Sequence, residues 1–129
     1  MTVETPLTKR FTATHEWIEV NDNTITVGIT HHAQDLLGDI VFVDLPTVNT
    51  AVKTGDDTAV IESVKTAADV YAPIDGTIIE VNESLNDQPE QVNQSPEKTG
   101  WLYRMTTHQL DQCEKLLTES DYQKTLNEE

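Results

Sequence analysis

The sequence predicts a mainly β fold, a sandwich or barrel of short strands with short helices and a helical C-terminus. Short β-branched and aromatic runs recur along the chain, each bounded by turn residues. Their spacing favours antiparallel strands over a parallel sheet with crossover helices. Only near the C-terminus, at Leu110, Cys113, Leu116 and Leu117, does the apolar spacing become helical.

The elements follow in order. Phe11 to Thr30 reads as strands, because Thr24-Ile25-Thr26-Val27-Gly28-Ile29 alternates polar and apolar after the turn signal Asn21-Asp22-Asn23, which implies an early hairpin. Thr30 stands at an N-cap position before His31–Leu37, and Gly38 can take the left-handed conformation that closes a helix, so a helix of about two turns is expected there. Ile40-Val41-Phe42-Val43-Asp44-Leu45 is a strand candidate ended by Pro46, followed by candidates at Thr58–Val64, Ala68–Tyr71 and Thr77–Val81. Thr54-Gly55-Asp56-Asp57 and Pro73-Ile74-Asp75-Gly76 are the turns between them. Asn82 to Gly100 is polar and reads as loop, with one helical turn starting at Pro89. Trp101–Met105 returns to a strand pattern, and Thr118-Glu119-Ser120-Asp121 resembles a cap opening a second C-terminal helix.

At 129 residues the chain holds one domain and excludes a two-domain enzyme. Its 23 acidic and 8 basic side chains leave a formal charge of −15, which repels nucleic acid and anionic membrane surfaces and favours partners bearing Lys or Arg patches. An apolar fraction of 36% is low, yet the recurring Val/Ile runs argue for a folded, soluble protein with a modest core. No apolar run approaches the roughly 20 residues that span a bilayer. Met1–Arg10 has neither a secretory nor a transit pattern, and the lone Cys113 allows no internal disulfide; both point to a cytoplasmic protein. The final Asn127-Glu128-Glu129 reads as a solvated tail.

Glu62-Ser63-Val64-Lys65-Thr66-Ala67-Ala68-Asp69 places a lysine among short side chains between two strand candidates. A lysine that is to be acylated inside an enzyme needs protrusion and unbulky neighbours, and a hairpin tip supplies both. Turn chemistry alone does not place a turn here, since Val64-Lys65-Thr66 lacks the Gly, Asn or Asp that two-residue hairpin loops prefer. By position alone Lys65 is equally one solvated lysine among several.

The surrounding words decide between these. His15-Glu16-Trp17, Val27-Gly28-Ile29-Thr30, the run Ala33 to Val41, Asp44-Leu45-Pro46, Glu62-Ser63-Val64-Lys65, Tyr71 to Gly76, Glu80-Val81-Asn82 and Gly100-Trp101 stand in the order seen in the H proteins of the glycine cleavage system, which the chain resembles from about Phe11 to Tyr122. The resemblance implies a lipoyl-domain-like β-sandwich, also called a hybrid barrel-sandwich, with its core at about residues 11–122 of a single carrier domain covering 1–129. It further implies lipoic acid joined by an amide to Lys65. Biotin is disfavoured, because Val64 and Thr66 replace the methionines that typically flank a biotinyl lysine.

The same resemblance implies a non-catalytic carrier, expected to act as a monomer. A pyridoxal-phosphate-dependent glycine decarboxylase loads an aminomethyl group onto the arm, and a tetrahydrofolate-dependent aminomethyltransferase removes it. A dihydrolipoyl dehydrogenase using FAD and NAD reoxidises the dithiol, and lipoate-attaching enzymes install the group. Because the loaded arm is water-sensitive, a cleft bearing a carboxylate is expected to shelter it, and family position names Glu16, Asp69 and the Thr14 hydroxyl. A lipoyl relay, donating the group to other lipoyl domains, is the alternative function; lipoyl transfer from this chain to a second domain would mark it. Two departures from the family pattern are Asn49, where a glycine commonly follows the Leu-Pro segment, and Ser95-Pro96-Glu97 in place of Asp-Pro-Tyr. Asn tolerates positive φ, so the first is harmless.

Other chemistries fit poorly. His15, His31, His32, His108 and Cys113 match no common zinc spacing, and neighbouring helical histidines point about 100° apart. Cys113 reads as a small buried hydrophobe whose thiol the adjacent Glu114 would make less acidic. Trp17 and Trp101 read as core side chains before ligand-stacking ones.

Overall fold

A computed structural model describes residues 8–127; the segment read as leaderless and the final two glutamates fall outside the described residues, the former except for Thr8–Arg10. Among the described residues nine strands form two antiparallel sheets. The larger runs β1(Thr8–Phe11), β2(Glu16–Asn21), β3(Thr24–Ile29), β9(Tyr103–Thr106), β8(Gly76–Val81), β5(Thr50–Val52), and the smaller runs β4(Ile40–Asp44), β6(Asp57–Ser63), β7(Ala67–Tyr71). The expected mainly β architecture with short helices and a C-terminal helix is what forms.

Alternation decides which side chains the sheets bury. Ile18, Ile25, Val27, Ile78 and Met105 of the large sheet meet Val43, Ala59, Ile61 and Val70 of the small one in a single apolar cluster. Trp17, next to Ile18, faces the other way and packs with Phe11 and Tyr122 in a second cluster completed by the C-terminal helix. Trp17 lies directly across from Gly28 in the β2–β3 register, and a Cβ on Gly28 would stand 2.7 Å from the indole ring; the glycine is there to admit the tryptophan. The β2–β3 turn carries Asp22 at φ 57°, and Asn49 takes φ 71°, the left-handed conformation expected of it.

Helix α1 covers His31–Leu37 as the sequence indicates. Thr30 caps it by accepting the Ala33 amide, and Gly38 closes it at φ 83°. The Asn82–Gly100 stretch holds two helical turns instead of one, a 3₁₀ turn at Glu83–Asn86 and α2(Gln91–Gln94). β9 begins at Tyr103, two residues later than its apolar pattern suggests. The tail differs most. α3(Leu110–Glu114) stops short of Leu116 and Leu117, because Leu117 exchanges two 2.8 Å backbone hydrogen bonds with Phe11, and the helix resumes as α4(Glu119–Asn127). Thr118 caps α4 by accepting the Asp121 amide, as expected. Among the described residues no helix is long and apolar enough to cross a membrane.

Candidate functional site

β6 and β7 are consecutive antiparallel strands, with Glu62 opposite Ala67 and the loop residues Val64 and Lys65 between Ser63 and Thr66. Neither loop residue has positive φ, so the turn needs another source of stability. Ser63 supplies it: its Oγ accepts the amides of both Lys65 and Thr66 at 3.1 Å, while its own amide donates to the Thr66 carbonyl at 2.8 Å. Lys65 therefore stands exposed at a hairpin tip, and its Nζ makes no hydrogen bond or ion pair among the described residues.

The tip is fixed to its surroundings. Val64 donates its amide to the Asp39 carbonyl at 3.0 Å, which ties the hairpin to the turn between α1 and β4. Gly38, the first residue of that turn, lies beneath the lysine stem: a Cβ there would be 3.1 Å from Lys65 Cε. One step back along α1, Leu36 and Leu37 line a cleft of about 170 Å³ whose walls are mostly apolar, with Ile29, Ala33, Ile61 and Val70. Thr14, Glu16 and Asp69 border the same cleft, so the three candidates named from the sequence are brought together on it.

Their environments differ sharply. Asp69 and Thr14 are exposed, whereas Glu16 is 2% exposed. One Glu16 oxygen accepts the hydroxyls of Thr12 and Thr14, and the other accepts the Tyr71 amide at 3.1 Å. Burial raises the Glu16 pKa above the ordinary glutamate value of 4.5, and the donated hydrogen bonds from Thr12, Thr14 and Tyr71 offset only part of that rise. A carboxylate so placed is both a strut between β2 and β7 and a latent negative charge at the cleft.

The remaining candidates resolve into structural roles. Trp17 donates its indole N–H to the Pro96 carbonyl, and Arg104 lies 3.9 Å over the Trp101 ring. Cys113 is buried, and its thiol pKa is raised by burial, with Glu114 and Asp111 adding to the rise against Arg10. His15 bonds the Tyr122 hydroxyl at 2.7 Å and its ring lies 4.8 Å from that of His32, at the seat of α4. Among the described residues no group of three or more His, Cys, Asp or Glu is arranged to hold a metal ion. Glu97, in the loop that departs from the family pattern, accepts from Lys9 at 2.7 Å and from the His31 amide, so this loop is fastened to β1 and α1.

Sequence reasoning missed Asn93. Its side-chain amide donates to the Gly38 carbonyl and to Gln34 Oε1, and its oxygen accepts the Ile40 amide, so it holds the α1–β4 turn on which the tip rests. Only an asparagine in a polar loop was visible beforehand.

A family model described as "Glycine cleavage H-protein" matches residues 9–129. The glycine cleavage system H protein of Thermotoga maritima is 54% identical over 89% of this chain and 93% of its own length, and that of Bartonella quintana is 55% identical over 90% and 94%. The crystal structure of a glycine cleavage system H protein from Mycobacterium marinum superposes with a TM-score of 0.85 at 37% identity, covering 95% of this chain and 99% of that one.

Proposed function

The chain belongs to the glycine cleavage H-protein family, and from that premise we propose that it is a non-catalytic carrier whose Lys65 bears lipoic acid through an amide bond. The observation that carries this reading is the exposed Lys65 amine on a braced hairpin tip, next to an apolar cleft edged by carboxylates. The residues present fit such a group: the tip offers an unencumbered amine, Gly38 leaves room beside the stem, and Ala33, Leu36 and Leu37 give an apolar tether a surface to lie on. When attached, the lipoyl group would supply a dithiolane whose disulfide takes up the aminomethyl unit of glycine together with two electrons, which the dithiol left after transfer gives up on reoxidation.

The chain's own residues do the rest. Acylation removes the Lys65 charge, taking the formal net charge from −15 to −16. The apolar cleft walls would shield a docked arm from water on one side, and Glu16 and Asp69 place negative charge where an ammonium group would sit. Thr14 orients Glu16 through its hydroxyl at 2.6 Å. The partners in this reading are the pyridoxal-phosphate glycine decarboxylase, the tetrahydrofolate aminomethyltransferase, dihydrolipoyl dehydrogenase with FAD and NAD, and the lipoate-attaching enzymes. A tether fixed to one protein presents its cargo to each at high effective concentration.

The test is Lys65→Arg, which keeps the charge and offers no acylable amine. Mass spectrometry of digested protein from the native host is expected to find a lipoyl adduct on Lys65 of the wild type and none on the variant, with glycine-dependent turnover lost and thermal unfolding little changed. Turnover surviving in the variant would refute the assignment.

A further inference from the structure

The outer face of the small sheet is built differently from the rest of the surface. The registers place Phe42, Glu62 and Ala67 in one cross-strand row and Asp44, Val60 and Asp69 in the next. These six residues include three carboxylates and no cation. Phe42 is 46% exposed among them. Beside it, β4 carries a register irregularity between Ile40 and Phe42, which lets Val41 as well as Phe42 project to solvent instead of alternating, and Val41 is 53% exposed. Val64, at 68%, extends the same apolar strip onto the tip next to Lys65. An edge strand that shows two adjacent large apolar side chains forgoes the usual protection of such edges.

We propose that this face docks the enzyme that acylates Lys65, through an apolar socket receiving Phe42 and Val41 and a rim of Lys and Arg side chains facing Asp44, Glu62 and Asp69. The proposal rests on Lys65 being the acyl acceptor. Before acylation the amine hangs on only four methylenes, so an enzyme that reaches Nζ must lie against the protein surface around it. Once the long arm is attached, other partners can receive its end without covering this face. The charge pattern selects a cationic rim, and an exposed aromatic such as Phe42 is the kind of side chain that anchors an interface. In the step itself Nζ forms a C–N bond to the carbonyl carbon of an acyl adenylate, the acyl–oxygen bond to the phosphate breaks, AMP leaves, and the ammonium gives up two protons.

The experiment uses the full-length unmodified chain with an ATP-dependent lipoate-attaching enzyme, and reads Kd without nucleotide, then KM and kcat for acylation. Phe42→Ser is expected to raise both Kd and KM by about tenfold, equivalent to about 1.4 kcal/mol, with kcat within about twofold. Phe42→Leu is expected to recover most of the loss. Ile79→Ser removes an apolar side chain of similar exposure, 40%, from the large sheet and is expected to leave all three values unchanged. Asp44→Asn is expected to raise Kd most at low salt. Equal Kd and KM for wild type and Phe42→Ser would overturn the docking face, as would an equal loss in Ile79→Ser. Acyl found on a residue other than Lys65 in digested wild type would instead overturn the underlying assignment.

Discussion

The Asp39 carbonyl accepts the Val64 amide at 3.0 Å, and this bond joins the lysine-bearing hairpin to the end of helix α1. The position of the Lys65 tip is thereby set by the α1–β4 turn as well as by the β6–β7 ladder. That turn is in turn held by Asn93, whose three side-chain bonds to Gly38, Gln34 and Ile40 span more than 50 residues of sequence. A rigid base beneath an exposed side chain is the arrangement expected where the chain must present one amine in a reproducible place.

Asn93→Ala is expected to loosen the tip. It strips the Gly38 carbonyl and the Ile40 amide of their side-chain partner, costing about 1–3 kcal/mol in denaturant unfolding. Hydrogen exchange at the Val64 amide should accelerate more than exchange in the β2–β3 hairpin. Uniform acceleration across both would show that Asn93 acts on global stability alone.

Ser63→Ala removes the oxygen that accepts two amides at the turn. Both amides are solvent-facing, so water replaces much of the loss and the stability change should stay within about 1 kcal/mol. The sharper readout is backbone order by NMR, with Val64–Thr66 becoming more mobile on the ps–ns timescale and Ser63→Thr remaining close to wild type. Unchanged order in Ser63→Ala would show that the Asp39 bond alone fixes the turn.

What the sequence disclosed and what it hid follow from the range of the forces involved. Thr30 and Gly38 announce α1 because capping is local, and Thr24–Ile29 announces β3 because alternation is local. The β6–β7 turn was legible from the strand candidates on either side of Lys65 and not from turn chemistry, since its stabilising group is a serine side chain and not a turn-forming dipeptide. β5, three residues long, gives no periodic signal, and the early end of α3 is imposed by Phe11, about a hundred residues away in sequence. Thr14, Glu16 and Asp69 could be named, but nothing local told that Glu16 is buried while Asp69 is exposed. Asn93 acts entirely through tertiary bonds and looks like any loop asparagine.

The burial of Glu16 makes a pH prediction. Its folded pKa lies above the unfolded value, so between the two the native state binds more protons than the unfolded one, and stability falls as pH rises from about 4.5 through the folded value. Glu16→Gln does not titrate. Subtracting its pH–stability curve from that of wild type removes the contribution of the other carboxylates and should leave a curve that declines with pH over that window. The variant will also lose stability at every pH, because an amide cannot satisfy the two hydroxyls and the Tyr71 amide with acceptors alone. A difference curve that is flat or rises with pH would show that hydrogen bonding, not desolvation, governs this carboxyl.

Tyr103 offers the opposite kind of test, a substitution expected to stabilise. Its ring is fully buried between the sheets, and among the described residues its hydroxyl has no hydrogen-bond partner. The neighbouring Thr58 hydroxyl lies outside bonding geometry and donates to the Val70 carbonyl at 2.8 Å. Burial accordingly drives the phenol pKa far upward, so it stays neutral across the accessible pH range. A hydroxyl taken from water without a replacement partner costs about 1–3 kcal/mol, while the aromatic ring supplies the packing. Tyr103→Phe keeps the ring and removes the stranded group, and is expected to raise unfolding stability by about 1 kcal/mol with an unchanged m-value. A loss of stability would mean that the hydroxyl is bonded in solution, most directly to a buried water, and that the void left by its removal costs more than its desolvation.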